Sequence, residues 1–390
     1  LSYLLKLLEE YLVLKEKQAD PLADPHLLLA AYHRRKLGRH FEKTQRSFSK
    51  SIENQPLRHP GFYLENYRME HQQYLHLLES GRSKELNLQA VEDQLTTAML
   101  AMKLRQACLL RSHQAVFNTP YRLNLLDEIL ALAEEPPYAE SPAVLVYRLC
   151  YLALFGERGD ADFGAFKLAL FEHGDRFPKE EIGSLYLLAI NFCIKKINVN
   201  QPGYLREALD LYKQGLKSEL LLDNGQLSRF AFNNITGIAL RLPDELDWAE
   251  RFVEEYRSYL EPTAQEAAFS LNSARIAFAK RQYDKSLLLL QRADYKDFIN
   301  GMNARVLQLK IYFEKQELEL LDAHLKTLRM FIRRNKRMGY HHQNWLNIVH
   351  FTQKLVELNP FDEQQRAALR AEIEAEPTLT EKDWLLAQLD

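Results

Sequence analysis

The chain has 390 residues, 46% of them hydrophobic and 27% charged, and its formal net charge is −2 at pH 7. That is core-forming composition, and the balanced charge excludes a global field that would recruit nucleic acid or membrane. Gly and Pro number only 14 each and Leu outnumbers Val plus Ile, which favours helix over sheet.

Helical periodicity runs nearly end to end. It predicts a first helix over 2–17, stopping before Asp20-Pro21. A second runs from Asp24-Pro25, where Asp caps and Pro suits the first turn, to about Ile52. Further helices are expected over 62–79, 84–116 and 121–134, and EEPPYAESP at 134–142 is the clearest break. Beyond it helices come in pairs: 142–156 with 162–175, 179–197 with 203–222, 226–241 with 245–260, 263–281 with 283–294, and 297–314 with 316–333. A closing group is expected at 340–358, 362–375 and 380–389, the last opened by Thr380 and Asp383 in capping-box spacing. Strand-type alternation is absent. No apolar run reaches the ~18 residues that span a bilayer. The N-terminal LSYLLKLLEEYLVLK has neither a basic leader nor a small-residue cleavage site, so it is not expected to be a signal peptide. Cys108, Cys150 and Cys193 sit in apolar helical runs without a CxxC and read as core thiols, which leans toward a reducing compartment.

The second half carries a repeat. NSARIAFAKRQYDKSLLLLQRA at 272–293 overlays LQLKIYFEKQELELLDAHLKTL at 307–328 with an offset of 35 residues. Ala274 then falls on Leu309, Ala277 on Tyr312, Tyr283 on Leu318, Leu290 on Leu325 and Ala293 on Leu328. A period in this range signals stacked helix pairs. Over 267–298, Asn272, the small Ala274, Tyr283 opening the second helix, the small Ser286 and Ala293 resemble a tetratricopeptide repeat. Neighbouring units carry Gly237, Ala249 and Pro262, then Ala208 and Tyr212, and Phe163, Phe166 and Pro178. The resemblance covers roughly 145–335 and is degenerate, since Leu309 and Leu321 replace small residues. It implies an all-α fold, an α-solenoid wound as a right-handed superhelix of stacked antiparallel helix pairs. Three regions are expected: 1–140, helical and either divergent repeats or a separate domain; 141–335, the repeats; and 336–390, capping helices.

In that family the first helix of each pair lines a concave groove. The resemblance therefore implies that Asn234, Arg241, Asn272, Arg275, Asn303 and Lys310 form a mildly basic, amide-rich strip. Such groups suit an acidic peptide or a terminal carboxylate, although a merely solvated face has the same composition. One subfamily holds the acidic tails of chaperones in a five-residue Lys/Asn/Arg clamp. Only Asn272 matches it here; Asn234, Ile238, Asn303 and Leu307 occupy the other places, which argues against that role.

An alternative anion-binding set is Arg34, Arg35, Lys36, Arg39 and Lys43, within a basic stretch over 33–58, with Arg333, Arg334 and Arg337 in a second patch over 329–337. Tyr32, Phe41 and Phe48 interleave with the first set, but Leu37, Phe41, Phe48 and Ile52 also form one apolar stripe and read as core. The second patch also fits cations opposing a helix dipole, with Gly339 as a stop. His341 and His342 are adjacent and face different sides of a helix, and neither HExxH nor a zinc-spaced Cys/His cluster occurs. GxSxG, GxGxxG and a phosphate-cradling loop are absent, and pairs such as Glu134-Glu135 and Glu180-Glu181 read as helix ends or exposed faces. No metal, cofactor or catalysis is expected. The expectation is a cytoplasmic, non-catalytic scaffold for a protein or peptide partner. Binding of nucleic acid or another anion, or a structural place in a larger assembly, are the rival expectations.

Overall fold

A computed structural model describes residues 2–19, 25–80, 86–117, 119–199, 201–295, 298–334, 341–359 and 361–390. The protein is all-helical apart from one minimal hairpin, with nineteen α-helices among the described residues. It divides into two compact units, Leu1–Phe192 and Cys193–Asp390.

The first unit holds α1 (Ser2–Ala19), α2 (Pro25–Arg34), α3 (Gly38–Asn54), α4 (Pro60–Ser80), α5 (Leu88–Phe117), α6 (Leu126–Leu132), α7 (Pro142–Phe155) and α8 (Gly159–His173). The division falls inside α9 (Lys179–Asn198). Helix α1 leaves Leu4, Leu5, Leu8 and Leu12 exposed. Helix α7 shows why the core forms where it does. Pro142 opens it with a preset φ, and Val144, Val146, Tyr147, Cys150 and Ala153 all turn inward. Gly156 ends it where a Cβ would stand 2.5 Å from the Leu152 carbonyl oxygen, so the chain closes there because a side chain is lacking. The break expected between 140 and 141 lies inside this unit, because α5 packs across it onto α7. The break expected between 335 and 336 falls outside the described residues.

The expected single helix from 25 to 52 is two helices. Lys36 takes a left-handed φ of 55°, its N–H bonds the His33 carbonyl and the Leu37 N–H bonds that of Tyr32. This is a Schellman closure, made without the glycine that usually marks it. The Asp24 cap lies outside the described residues, and the helix expected over 121–134 is confined to α6, entered through Leu125 at φ 60°.

The second unit continues with α10 (Tyr204–Lys217), α11 (Arg229–Ala239), α12 (Leu246–Tyr256), α13 (Pro262–Ala279), α14 (Tyr283–Gln291), α15 (Phe298–Glu314), α16 (Leu318–Arg334), α17 (His341–Glu357), α18 (Glu363–Ala375) and α19 (Lys382–Ala387). Helix α13 packs on α14 and also sits beside α11 and α15. Ala274 and Ser286 mark the crossing of α13 with α14, and the Ser286 hydroxyl donates to the Ala274 carbonyl at 2.7 Å. Leu271, Ala277, Leu289, Leu290, Ala304, Leu307 and Ile311 pack into the same core as Ala274. Leu309, Leu321, Leu325 and Leu328 belong to the next, shared with Trp345, Leu369 and Leu385. The 35-residue offset recurs in the backbone. Arg281 and Gln316 both take φ 57° and both close Schellman turns, Gln282 N–H to Ala277 at 2.8 Å and Glu317 N–H to Tyr312 at 2.9 Å.

Two expectations are corrected here. The helix expected to reach 222 stops at Lys217, and β1 (Leu222–Asp223) pairs antiparallel with β2 (Gln226–Leu227). Asn224 and Gly225, both at positive φ, supply the tight turn, and the Asn-Gly signal was legible. The capping box expected at Thr380 is not formed. Glu381 enters α19 at φ 57° without a side-chain cap, because its carboxylate and that of Asp383 are engaged elsewhere.

Candidate functional site

Helices α11, α13 and α15 lie side by side and contribute one wall each to a cavity of about 680 Å³. Asn233, Asn234 and Gly237 come from α11, with Arg241 just beyond it; Arg275 and Phe278 come from α13; Ile299, Asn303, Leu307 and Lys310 come from α15. Phe230, Ile238 and Trp345 add apolar wall, and Ile194, Ile197 and Asn198 close one side. Five of the six side chains expected on the strip, Asn234, Arg241, Arg275, Asn303 and Lys310, therefore line one cavity.

The sixth does not. Asn272 is fully buried beneath the cavity, where its Nδ2 donates to Asn233 Oδ1 at 2.6 Å and to the Ala268 carbonyl at 2.8 Å. Asn233 Nδ2 donates in turn to Asn300 Oδ1 at 2.9 Å, and Arg275 Nη1 donates to Asn272 Oδ1 at 3.4 Å. The reason is helical register. Asn272 is one turn's fraction before Arg275 and faces the neighbouring helix, where a buried amide is tolerated only because every hydrogen-bonding arm finds a partner.

The strip's charges are largely met from within the chain. Lys310 Nζ donates to Glu381 Oε2 at 2.6 Å, and Arg241 Nη2 to Asp383 Oδ2 at 2.8 Å. Lys310 holds the Glu381 carboxyl below its usual range, outweighing a partial loss of water around it, with Arg275 and Arg241 adding to the attraction. The Lys310 ammonium also stands 4.7 Å from the Phe278 ring centroid and 5.5 Å from that of Trp384. Trp384 Nε1 and Gln388 Nε2 both donate to Glu314, fixing α19 on α15. Glu381 and Asp383 are neighbours of the strip that the 35-residue pattern cannot reveal, since they lie 71 and 142 residues from their partners.

The alternative anion-binding residues fall in different units. Arg34, Arg35, Lys36, Arg39 and Lys43 are exposed on α2, α3 and the turn between them, while Phe41 and Phe48 are buried and offer no stacking surface. Arg333 and Arg334 are exposed at the end of α16, and Arg337 lies outside the described residues, as does Gly339.

Glu181 departs from the exposed position expected for it. Its side chain is only 14% exposed and meets Tyr147 Oη at 2.5 Å, Arg105 Nη1 at 3.6 Å and His59 Nδ1 at 3.8 Å. Burial, then the adjacent Glu181, push the Tyr147 phenol far above its usual range, so it is a fixed donor rather than a base. Among the described residues no group of His, Cys, Asp and Glu is placed to hold a metal ion, and no helix is long and apolar enough to cross a membrane. Cys108, Cys150 and Cys193 are buried without a disulfide, and burial, then Cys108, push the Cys150 thiol well up. Comparison with protein-family models, curated proteins and solved structures finds no match.

Proposed function

We propose that this chain is a non-catalytic interaction module built of tetratricopeptide-like stacked helix pairs, which holds a protein or peptide partner against α11, α13 and α15. The observation that carries the reading is the convergence of Asn234, Arg241, Arg275, Asn303 and Lys310 on one cavity. Cations, amides and aromatic walls together recognise an extended chain better than any of them alone. The recurrence of the α13–α14 turn at the α15–α16 turn, 35 residues on, supports the repeat assignment. Buried thiols without a disulfide support a reducing compartment such as the cytoplasm.

The test is capture of partners from native lysate by the purified chain and by an Arg275→Glu/Lys310→Glu variant, at low and high salt, with and without nuclease. A discrete protein retained on the parent at high salt and lost from the variant is expected. An unchanged set of captured proteins would remove the groove from the account. Nucleic acid recovered only at low salt, and lost on replacing Arg34, Arg35, Lys36, Arg39 and Lys43, would shift the reading to the basic helix.

A second reading, a subunit of a larger assembly, is favoured by α1, whose Leu5, Leu8 and Leu12 are 56%, 51% and 53% exposed. Sedimentation should then show self-association that a Leu5→Ser/Leu8→Ser/Leu12→Ser variant lacks. A parent that stays monomeric at high concentration would count against pairing between copies.

A further inference from the structure

The cavity has an unbalanced charge. Arg241, Arg275 and Lys310 face Asp383 and Glu381, so one positive charge is left over. Arg241 and Lys310 each bond a carboxylate. Arg275 makes no ion pair among the described residues; its guanidinium bonds only the Asn272 amide oxygen, at 3.4 Å. Its Nη1 lies 4.0 Å from where a Cβ on Gly237 would stand, across the cavity wall from α11. A half-buried guanidinium is poorly stabilised by one long bond to a neutral amide, and its five donors suit a planar, bidentate acceptor. The desolvation is felt by the group itself: burial lowers the Arg275 pKa, and Glu381 only partly opposes this.

We propose that the cavity binds a small organic monocarboxylate with an aromatic or alkyl body, its carboxylate on Arg275 and its body against Phe230, Phe278 and Trp345. The volume of about 680 Å³ lies within the range of about 300–1,000 Å³ typical of small-ligand sites. A single negative charge matches the single unmet cation. A second carboxylate, or a phosphate dianion, would be brought beside Glu381 and Asp383 and repelled. The amides of Asn234 on α11 and Asn303 on α15 line the same cavity and can bond a polar atom along the ligand's body. This inference uses the cavity of the preceding reading but does not require a protein partner.

Calorimetry of the full chain with phenylbutyrate, its neutral amide phenylbutyramide and the dianion phenylsuccinate tests it. Phenylbutyrate should bind saturably with one site, and the amide and the dianion about tenfold more weakly or worse. Arg275→Met should abolish the preference for acid over amide. Arg275→Lys, which keeps the charge and guards against a folding defect, should retain part of it, with helical content checked by circular dichroism. Glu381→Gln should narrow the gap between phenylsuccinate and phenylbutyrate. Equal binding of acid and amide, acid binding indifferent to Arg275, or no saturable binding of the acid in the millimolar range would each overturn the proposal. Those outcomes are independent of partner capture. A carboxylate site with no captured protein would sink the scaffold reading alone, and a captured partner with no carboxylate site would sink this one alone.

Discussion

Asn272 shows how one buried amide can matter more than an exposed cation. Its donor serves Asn233 and Ala268, and its acceptor serves Arg275. Replacing it with the near-isosteric Leu keeps the volume but orphans the Asn233 oxygen and the Arg275 donor. Asn272→Leu should therefore cost about 1–3 kcal/mol in chemical denaturation. An unchanged midpoint would mean that these arms are satisfied by other means. His324 offers a second handle. Its Nε2 lies 2.8 Å from the Arg305 carbonyl, and burial, more than that bond, sets its pKa, pulling it below the ordinary 6.5. The unfolded chain takes up this proton near pH 6.5 while the folded chain does not. The contribution is complete above that pH and declines as pH falls through 6.5 toward the folded value. Stability measured at about pH 7.5 and about pH 5.5 should drop more in the parent than in His324→Gln, which keeps an N–H for the carbonyl. Parallel pH profiles would show that His324 is not the cause.

The turns at Arg281 and Gln316 keep the 35-residue offset more faithfully than the side chains around them do. Lys36, Glu219, Arg281 and Gln316 all close helices at left-handed φ. A residue with a Cβ pays for that conformation, and glycine does not. Gln316→Gly should leave stability unchanged or raise it by up to about 1 kcal/mol, whereas the β-branched Gln316→Val should lower it by about 1–2 kcal/mol. If both variants melt alike, the left-handed turn is not populated in solution. The same residues explain what the sequence could and could not reveal at this scale. The pair expected at 263–281 and 283–294 appears as Pro262–Ala279 and Tyr283–Gln291, because Pro262, Ala274, Tyr283 and Ser286 each report a local requirement. The split at Lys36 was hidden because Lys, Glu, Arg and Gln stand where glycine would have announced a stop. The short hairpin after Glu219 was announced, by Asn224-Gly225, but is too brief to produce strand alternation.

At the scale of the whole molecule, the all-helical class followed from scarce breakers and abundant Leu, while the division of the chain did not. The conspicuous EEPPYAESP break is a local interruption inside a unit, because the packing of α5 on α7 depends on contacts between residues such as Cys108 and Tyr147 that no local pattern ties together. The cavity was half legible for the same reason. Side chains on α11, α13 and α15 could be placed together in advance from the register that the resemblance implied. Glu381 and Asp383 arrive from a distant helix with no periodic relation to them, and they turn a basic strip into a nearly neutral one. Partner binding there should accordingly depend only weakly on ionic strength, unlike a phosphate interface.

The buried amides beneath the cavity have a direction. Arg275 donates to Asn272, Asn272 to Asn233, and Asn233 to Asn300, so every arrow points from the cavity into the packing of three helices. Such chains polarise as a unit. An anion seated on the guanidinium at the head would weaken the first link and, through it, the rest. The carboxamide protons of Asn272, fully buried, thus become built-in spectators of whether the chamber above them is filled.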